Sequence, residues 1–256
     1  MDINKVYCMD NVDGMTRLGA ETVDLTVTSP PYDKLRDYKG YSFSFERVAR
    51  ELFYVTKPGG VVVWVVGDST EKGSETLTSF KQALYFKEIG FNVHDTMIYE
   101  KAGSPFPSKV RYAQVFEYMF VFSKGKPKTI NLIKDKPNKW AGQSTFGNSS
   151  NRNKAGDLVS FGKRIIKDFG VRNNIWRYAN GFGFGQSDKK AYEHPATFPE
   201  KLAEDHILSW SNEGDLVLDP FCGSGTTLRV AKKTGRNYVG FDISKEYVAL
   251  SEILLK

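Results

Sequence analysis

The sequence predicts an α/β fold built on a mostly parallel sheet with helices on both faces. Strand-like and helix-like segments alternate along most of the chain. Val61–Val66 is an unbroken apolar run, as expected for a strand covered on both sides. Asp215–Thr227 reads as a strand, a glycine turn and a helix start, which is a βα unit in miniature.

Val23–Thr28 is β-branched and ends at Ser29-Pro30-Pro31, where two prolines forbid a central strand from continuing. Phe45, Val48, Ala49, Leu52 and Phe53 fall at helical spacing, and the helix they predict stops before Lys57-Pro58-Gly59-Gly60. A second helix is predicted from Thr76 to Ile89, closed by Gly90. Strands are predicted over 91–99 and 115–122. After a long irregular stretch, periodicity returns: helix 198–210, strand 216–218, helix 226–233, strand 237–241 and helix 244–255. This gives residues 1–124 and 193–256 as two halves of one domain, with 125–192 as an insert.

The insert is where the charge sits. The 256-residue chain carries a net charge of +6, and the stretch from Lys124 to Arg177 alone holds 13 Lys or Arg against 3 Asp or Glu. That local excess of +10 leaves −4 for the remainder, the pattern of a near-neutral body with one polyanion-facing segment. A solvated lysine-rich loop is the blander reading. Interleaved Trp140, Phe146, Phe161, Phe169, Trp176, Phe182 and Phe184 argue for an ordered segment. No apolar run is long enough to span a membrane, and Met1-Asp2-Ile3-Asn4-Lys5 does not open a secretory signal. Two cysteines, Cys8 and Cys222, fit a reducing compartment without a disulfide framework. No metal is expected, because His94, His194 and His206 have no partner at ligand spacing.

Two constellations carry chemistry. Asp219-Pro220-Phe221-Cys222-Gly223-Ser224-Gly225-Thr226-Thr227 joins a strand to a helix. Its glycines allow close backbone approach, and the helix start offers unpaired N–H groups and a positive dipole end. Asp242, roughly 20 residues on at the end of the next strand, is placed to bind ribose hydroxyls. The residues alone do not separate a nicotinamide dinucleotide from S-adenosylmethionine. Leu228 stands where a dinucleotide fingerprint has its third glycine, which argues against a dehydrogenase.

The second constellation is Ser29-Pro30-Pro31-Tyr32, after a strand and so at the ligand-binding edge of the sheet. An exocyclic base amine is a poor nucleophile because its lone pair is delocalised. Acceptors for both of its protons, such as Ser29 Oγ and a proline-held carbonyl, localise that pair. Tyr32 offers a face for an extruded base. Alone, the tetrapeptide would be a proline turn with an aromatic behind it.

Together these motifs resemble the DNA amino-methyltransferases acting on cytosine N4 or adenine N6, in the circularly permuted β group. The family's catalytic Asp/Asn/Ser-Pro-Pro-Tyr/Phe/Trp matches Ser29, Pro30, Pro31 and Tyr32, and its Asp-Pro-Phe-x-Gly-x-Gly-Thr-Thr matches Asp219 to Thr227. Their order, catalytic motif, insert, cofactor motif, is that of the β group. The resemblance implies a Rossmann-like S-adenosylmethionine-dependent fold with a target-recognition insert. It places Asp219, Pro220, Phe221, Cys222, Gly223, Gly225, Thr226, Thr227, Asp242 and Asp10 at the cofactor. Phe198 replaces a family lysine in His194-Pro195-Ala196-Thr197-Phe198-Pro199, and only a place lining the cofactor cleft is expected of it.

The same resemblance implies direct in-line transfer to a flipped base in double-stranded DNA, without a thiolate. Methylation at cytosine C5 uses a Pro-Cys nucleophile, and neither cysteine here follows a proline. A serine at the first catalytic position favours cytosine N4 over adenine N6 in the family. Protein-glutamine methyltransferases share an Asn-Pro-Pro-Tyr motif but lack the permuted order and the basic insert. A non-catalytic DNA-binding protein of the same fold is disfavoured by the intact motifs. Within the insert, Gln143, Asn151, Arg152, Asn153, Arg172 and Asn173 are the candidate base readers, although phosphate contact is the commoner role for such residues. A cognate restriction endonuclease and a homodimer are partners the family admits, and a prokaryotic or phage-encoded cytoplasmic protein is the expected setting.

Overall fold

In the computed structural model, described for residues 1–31, 44–103, 109–145, 150–160, 162–179, 185–188, 190–191 and 199–256, the chain divides into two units. One comprises Met1–Asn131 with Asn174–Lys256, and the other Leu132–Asn173. Tyr32 and Phe198 lie outside the described residues, as do Phe146, Phe161, Phe182, Phe184 and His194.

The larger unit opens with β1 (Lys5–Cys8), α1 (Asn11–Leu18), β2 (Val23–Thr28), α2 (Phe45–Val55) and β3 (Thr56–Val66). A short hairpin of β4 (Thr70–Glu71) and β5 (Ser74–Glu75) leads to α3 (Thr78–Glu88), β6 (Asn92–Lys101) and β7 (Phe116–Ser123). The smaller unit holds two antiparallel pairs, made by β8 (Lys136–Pro137), β9 (Ser150–Arg152), β10 (Leu158–Ser160) and β11 (Phe169–Gly170). β12 (Ile175–Tyr178), α4 (Glu200–Trp210), β13 (Leu216–Asp219), α5 (Thr226–Lys233), β14 (Asn237–Asp242) and α6 (Lys245–Leu254) complete the larger unit.

Eight strands form one sheet in the order β1-β14-β13-β2-β3-β7-β6-β12. β1 through β3 are mutually parallel, β7 runs antiparallel to β3 and β6, and β12 is parallel to β6. The α/β class with a mostly parallel sheet is as the sequence predicts. Side chains alternate across it. One face turns Val62, Trp64, Phe120, Phe122, Leu218 and Phe241 toward Met15, Leu52 and Phe86 of α1, α2 and α3. The opposite face is covered by α4 and α5. His206 of α4 reaches Met119 of β7, and Leu228 of α5 packs so closely on Gly240 of β14 that a Cβ there would lie 2.4 Å from it. Val61–Val66 is at most 1% exposed throughout, which explains why the run has no polar alternate.

β1, α1 and β12 were not legible in the sequence, nor were the short strands β4, β5 and β8 to β11. β1 and α1 precede the first predicted strand. α1 is started by Asp10, whose Oδ1 accepts from the backbone N–H of Val12 at 2.9 Å and of Asp13 at 3.3 Å. β12 lies inside the stretch read as irregular, yet it joins the main sheet through β6. Residues 174–191, where described, therefore belong to the larger unit. Trp176 of β12 is 6% exposed with its ring 4.7 Å from that of His206, so it is a core residue. No described helix is long and apolar enough to cross a membrane.

Candidate active site

β2 continues through α2 to β3 on one side, and β13 continues through α5 to β14 on the other. The strand order thus reverses between β2 and β13, the switch point at which open α/β sheets bind ligands. Because β1, β14, β13 and β2 are parallel and adjacent, their carboxyl ends meet on one edge. Asp10, Asp242, Asp219 and Ser29 follow or close those four strands. The register pairs Cys8 with Asp242, Asp219 with Gly240 and Leu218 with Thr26.

Direct bonds tie these ends together. The Thr28 hydroxyl donates to Asp219 Oδ1 at 2.7 Å, and the backbone N–H of Phe221 donates to the same oxygen at 3.1 Å. Thr227 Oγ1 lies 3.1 Å from the Val27 carbonyl and beside the Asp219 carboxylate. The Asn11 amide donates to the Pro220 carbonyl at 3.2 Å, and the Met9 N–H donates to the Asp242 carbonyl at 3.0 Å. Asp10 is thus held next to the glycine loop by its neighbours while its own carboxylate caps α1. Phe221 sets its ring edge-on to Trp64 of β3, centroids 6.2 Å apart. Pro30 is buried; Ser29 and Pro31 are half-buried.

The loop between β13 and α5 is shaped by glycine. Gly225, the residue capping α5, has φ +77°, and a Cβ there would lie 2.1 Å from Ser251 Oγ. Both facts demand glycine at that position. Its N–H donates to the Cys222 carbonyl at 2.7 Å, while Gly223 donates to Asp242 Oδ2 at 3.0 Å. Ser244 N–H donates to Asp242 Oδ1 at 2.8 Å. The ribose-binding candidate and the glycine loop are therefore one hydrogen-bonded unit. Thr226 Oγ1 sits 3.4 Å from Gln186 Oε1, and Arg229 of the same helix bonds Gln186 at 2.7 Å and Glu200 at 2.6 Å. These links were missed in the sequence reading, since Gln186 carries no motif signal.

Electrostatically the edge is acidic. Burial pushes the Asp219 carboxyl up to about 6, opposed by its bonds from Thr28, Thr227 and Phe221 and reinforced by the nearby Asp242 carboxylate. Asp242 is likewise raised by burial, in spite of backbone donors from Ser244, Gly223 and Ile243. No lysine or arginine among the described residues ion-pairs with either. Carboxylates massed without a counter-cation suit a ligand that brings positive charge. Cys222 is buried and its thiol is held well above the ordinary range, so it is not a thiolate nucleophile.

In the smaller unit, several expected base readers have structural work. Arg172 Nε donates to Asp135 Oδ1 at 3.0 Å, and Lys136 donates to Asn173 at 3.0 Å. Asn153 Oδ1 accepts from the N–H of Ala155 and of Asp157, both at 2.9 Å, and Arg152 donates to the Gly156 carbonyl at 2.8 Å. Gln143 and Asn151 are exposed.

Residues 23–253 match a family model described as DNA methylase. The orphan methyltransferase M.BamHII of Bacillus amyloliquefaciens is 62% identical over 240 residues, which cover 93% of this chain and 91% of that protein. The type II methyltransferase M.BglII of Bacillus subtilis is 26% identical over 99% of this chain and 69% of its own length. Among solved structures, the cytosine-N4-specific PvuII DNA methyltransferase superposes with a TM-score of 0.70 at 23% identity, covering 100% of this chain and 90% of that one. M1.HpyAVI, solved as a complex with SAM, gives a TM-score of 0.63 at 24% identity over 97% and 98% of the two chains.

Proposed function

The chain belongs to the N6/N4 DNA methylase family, and from that premise we propose that it transfers a methyl group from S-adenosylmethionine to the N4 amino group of cytosine in DNA. The observation that carries the reading is Ser29, an acceptor hydroxyl at the switch point, directly after the Thr28–Asp219 bond. A hydroxyl there takes a proton-directed hydrogen bond from the base amine and leaves the nitrogen lone pair free to attack. Tyr32 is assigned the stacking face for the flipped base. Pro30 and Pro31 fix the turn that presents Ser29. The PvuII enzyme, of the same fold, is cytosine-N4-specific. Nucleoside mass spectrometry of DNA methylated by the protein is expected to yield N4-methylcytosine; N6-methyladenine alone would overturn the choice of base.

S-adenosylmethionine, when bound, supplies an electrophilic methyl on a sulfonium cation. The residues present fit it. Asp219 and Asp242 would supply negative charge to complement the sulfonium and ammonium cations, and Asp242 would offer lone pairs to the ribose. The start of α5 at Thr226 and Thr227 would offer N–H groups to its carboxylate, and Gly223 and Gly225 would shape the loop that lets it approach. Pro220, Phe221 and Cys222 line the loop, Asp10 is assigned to the adenine side, and Phe198 to the cleft wall.

Asp242→Ala is expected to weaken cofactor binding by about 10- to 100-fold, since a hydrogen bond to a charged group is worth roughly 1.5–3 kcal/mol. The Gly223 and Ser244 N–H groups would also lose their acceptor. Isothermal titration calorimetry checks this, and an unchanged dissociation constant refutes the ribose role.

Within the 125–192 insert we assign target recognition to the separate unit Leu132–Asn173, and we assign residues 1–124 and 193–256, whose sheet β12 joins, to the two halves of the methyltransferase domain. The basic side chains of the insert would neutralise phosphates while exposed Gln143 and Asn151 reach base edges. If two to five phosphates are neutralised, DNA affinity should fall by about 10- to 500-fold between 50 and 200 mM salt. A flat response in a fluorescence-anisotropy titration would contradict this.

A further inference from the structure

We infer that Thr28 is a positioning residue that locks the reaction centre to the cofactor loop. The inference rests on the reading of Ser29 as the methyl-acceptor site. Thr28 and Asp219 stand 191 positions apart in sequence and each immediately precedes a functional loop: Ser29-Pro30-Pro31 on one side, Pro220 to Gly225 on the other. Both are buried, at 0% and 2% exposure, and their 2.7 Å bond joins the last residues of two adjacent parallel strands. β13 and β2 are in backbone register at Val217–Leu25 and Leu218–Thr26, and beyond that point this side-chain bond carries the pairing forward. A second link, Thr227 to the Val27 carbonyl, runs from the first turn of α5 to the same strand end. The spacing of the two loops at these strand ends is therefore held by hydroxyls on buried threonines as well as by the backbone ladder.

The bond also has an electrostatic side. The groups facing Asp219 are the Thr28 hydroxyl on β2, the Thr227 hydroxyl on α5, the Phe221 N–H in the loop, and the Asp242 carboxylate and Cys222 thiol nearby. Only the first three favour the ionised carboxylate. Removing the Thr28 hydroxyl should therefore move Asp219 further up from about 6 and carry the acid limb of activity with it.

The test compares Thr28→Val with Thr28→Ser, with Thr28→Ala as a less crowded second probe should valine disturb folding. Total methyl incorporation into DNA is measured, so the result does not depend on whether cytosine or adenine is the base. At a pH well above the Asp219 titration in every variant, the expected outcome is a kcat lower by about 10- to 100-fold in the valine and alanine variants, with cofactor affinity within about threefold of wild type. The acid limb of the pH profile moves up, and Thr28→Ser restores both. Independently of turnover, carbon-13 NMR of the unliganded protein should show the Asp219 carboxyl titrating at higher pH in Thr28→Val and returning in Thr28→Ser. A kcat within twofold of wild type, a serine variant as impaired as the valine one, or an unmoved Asp219 titration overturns the proposal. If the wild-type protein transfers no methyl to DNA, the functional reading fails instead, and the NMR titration still decides whether Thr28 governs Asp219.

Discussion

Replacing Ser29 with alanine is expected to lower turnover by about 100- to 1000-fold while leaving the cofactor dissociation constant nearly unchanged. The asymmetry follows from where the lost oxygen acts. The amine of a base is held planar by delocalisation into the ring, and it becomes nucleophilic only as its lone pair localises. An acceptor that strengthens its hold on the amine protons during that change acts on the transition state more than on the ground state. Ser29 is half-buried just after β2, between the fully buried Thr28 and the buried Pro30. The carboxylates assigned to the cofactor close β13 and β14, and the glycine loop follows β13. Steady-state kinetics on DNA, paired with calorimetric cofactor binding, separates the two quantities. Equal losses in kcat and cofactor affinity would mean that Ser29 holds the cofactor loop rather than the amine.

The same geometry explains which parts of the site could be read from the sequence. Asp219 to Thr227 is legible because its chemistry is local: a strand end, two glycines forced by φ +50° and +77°, and a helix start within nine residues. Val61–Val66 is legible because a strand buried on both faces has no polar alternate. Thr28 is different. Its side chain is unremarkable in a β-branched strand, and its role exists only because a partner 191 residues away arrives beside it. Asp10 was placed at the site by resemblance, but its helix-capping bonds to Val12 and Asp13 belong to α1, an element that periodicity did not announce. β1 spans four residues, of which Val6 is buried and Cys8 exposed, so it is a strand only through its register with β14. β12 fails for the same reason: Ile175–Tyr178 sits in a polar stretch and is defined by its pairing with β6, whose matching residues begin at Ile98. Local chemistry survives translation into sequence pattern; long-range pairing does not.

Those long-range pairings also bury a histidine, and this yields the second large effect. His206 on α4 is fully buried, with Nε2 3.3 Å from Met119 Sδ, the Trp176 ring alongside, and Nδ1 without a hydrogen-bond partner among the described residues. Burial pushes it down to about 3, opposed weakly by Asp205, whose carboxylate is already engaged by Tyr178 and Lys201. In the unfolded chain it titrates near 6.5. Above that pH both states hold a neutral ring and stability is full. As pH falls below 6.5 the unfolded state takes up a proton that the folded state refuses, so stability is lost progressively down to about 3. The difference between 6.5 and about 3 corresponds to roughly 5 kcal/mol over the whole window, and to roughly 2.5 kcal/mol by pH 4.5. Asp219 works in the opposite sense, since a raised carboxyl favours the fold as pH drops from about 6 toward 4, but it contributes equally in a variant that keeps it. His206→Leu preserves an apolar side chain against Met119 and Trp176 and removes the titration. Urea unfolding at pH 7.5 and 4.5 should therefore show the wild type losing roughly 2.5 kcal/mol more than His206→Leu across that interval. Equal losses in the two proteins would mean that the folded state admits the proton, and that the packing between α4 and the sheet opens in acid before the protein unfolds.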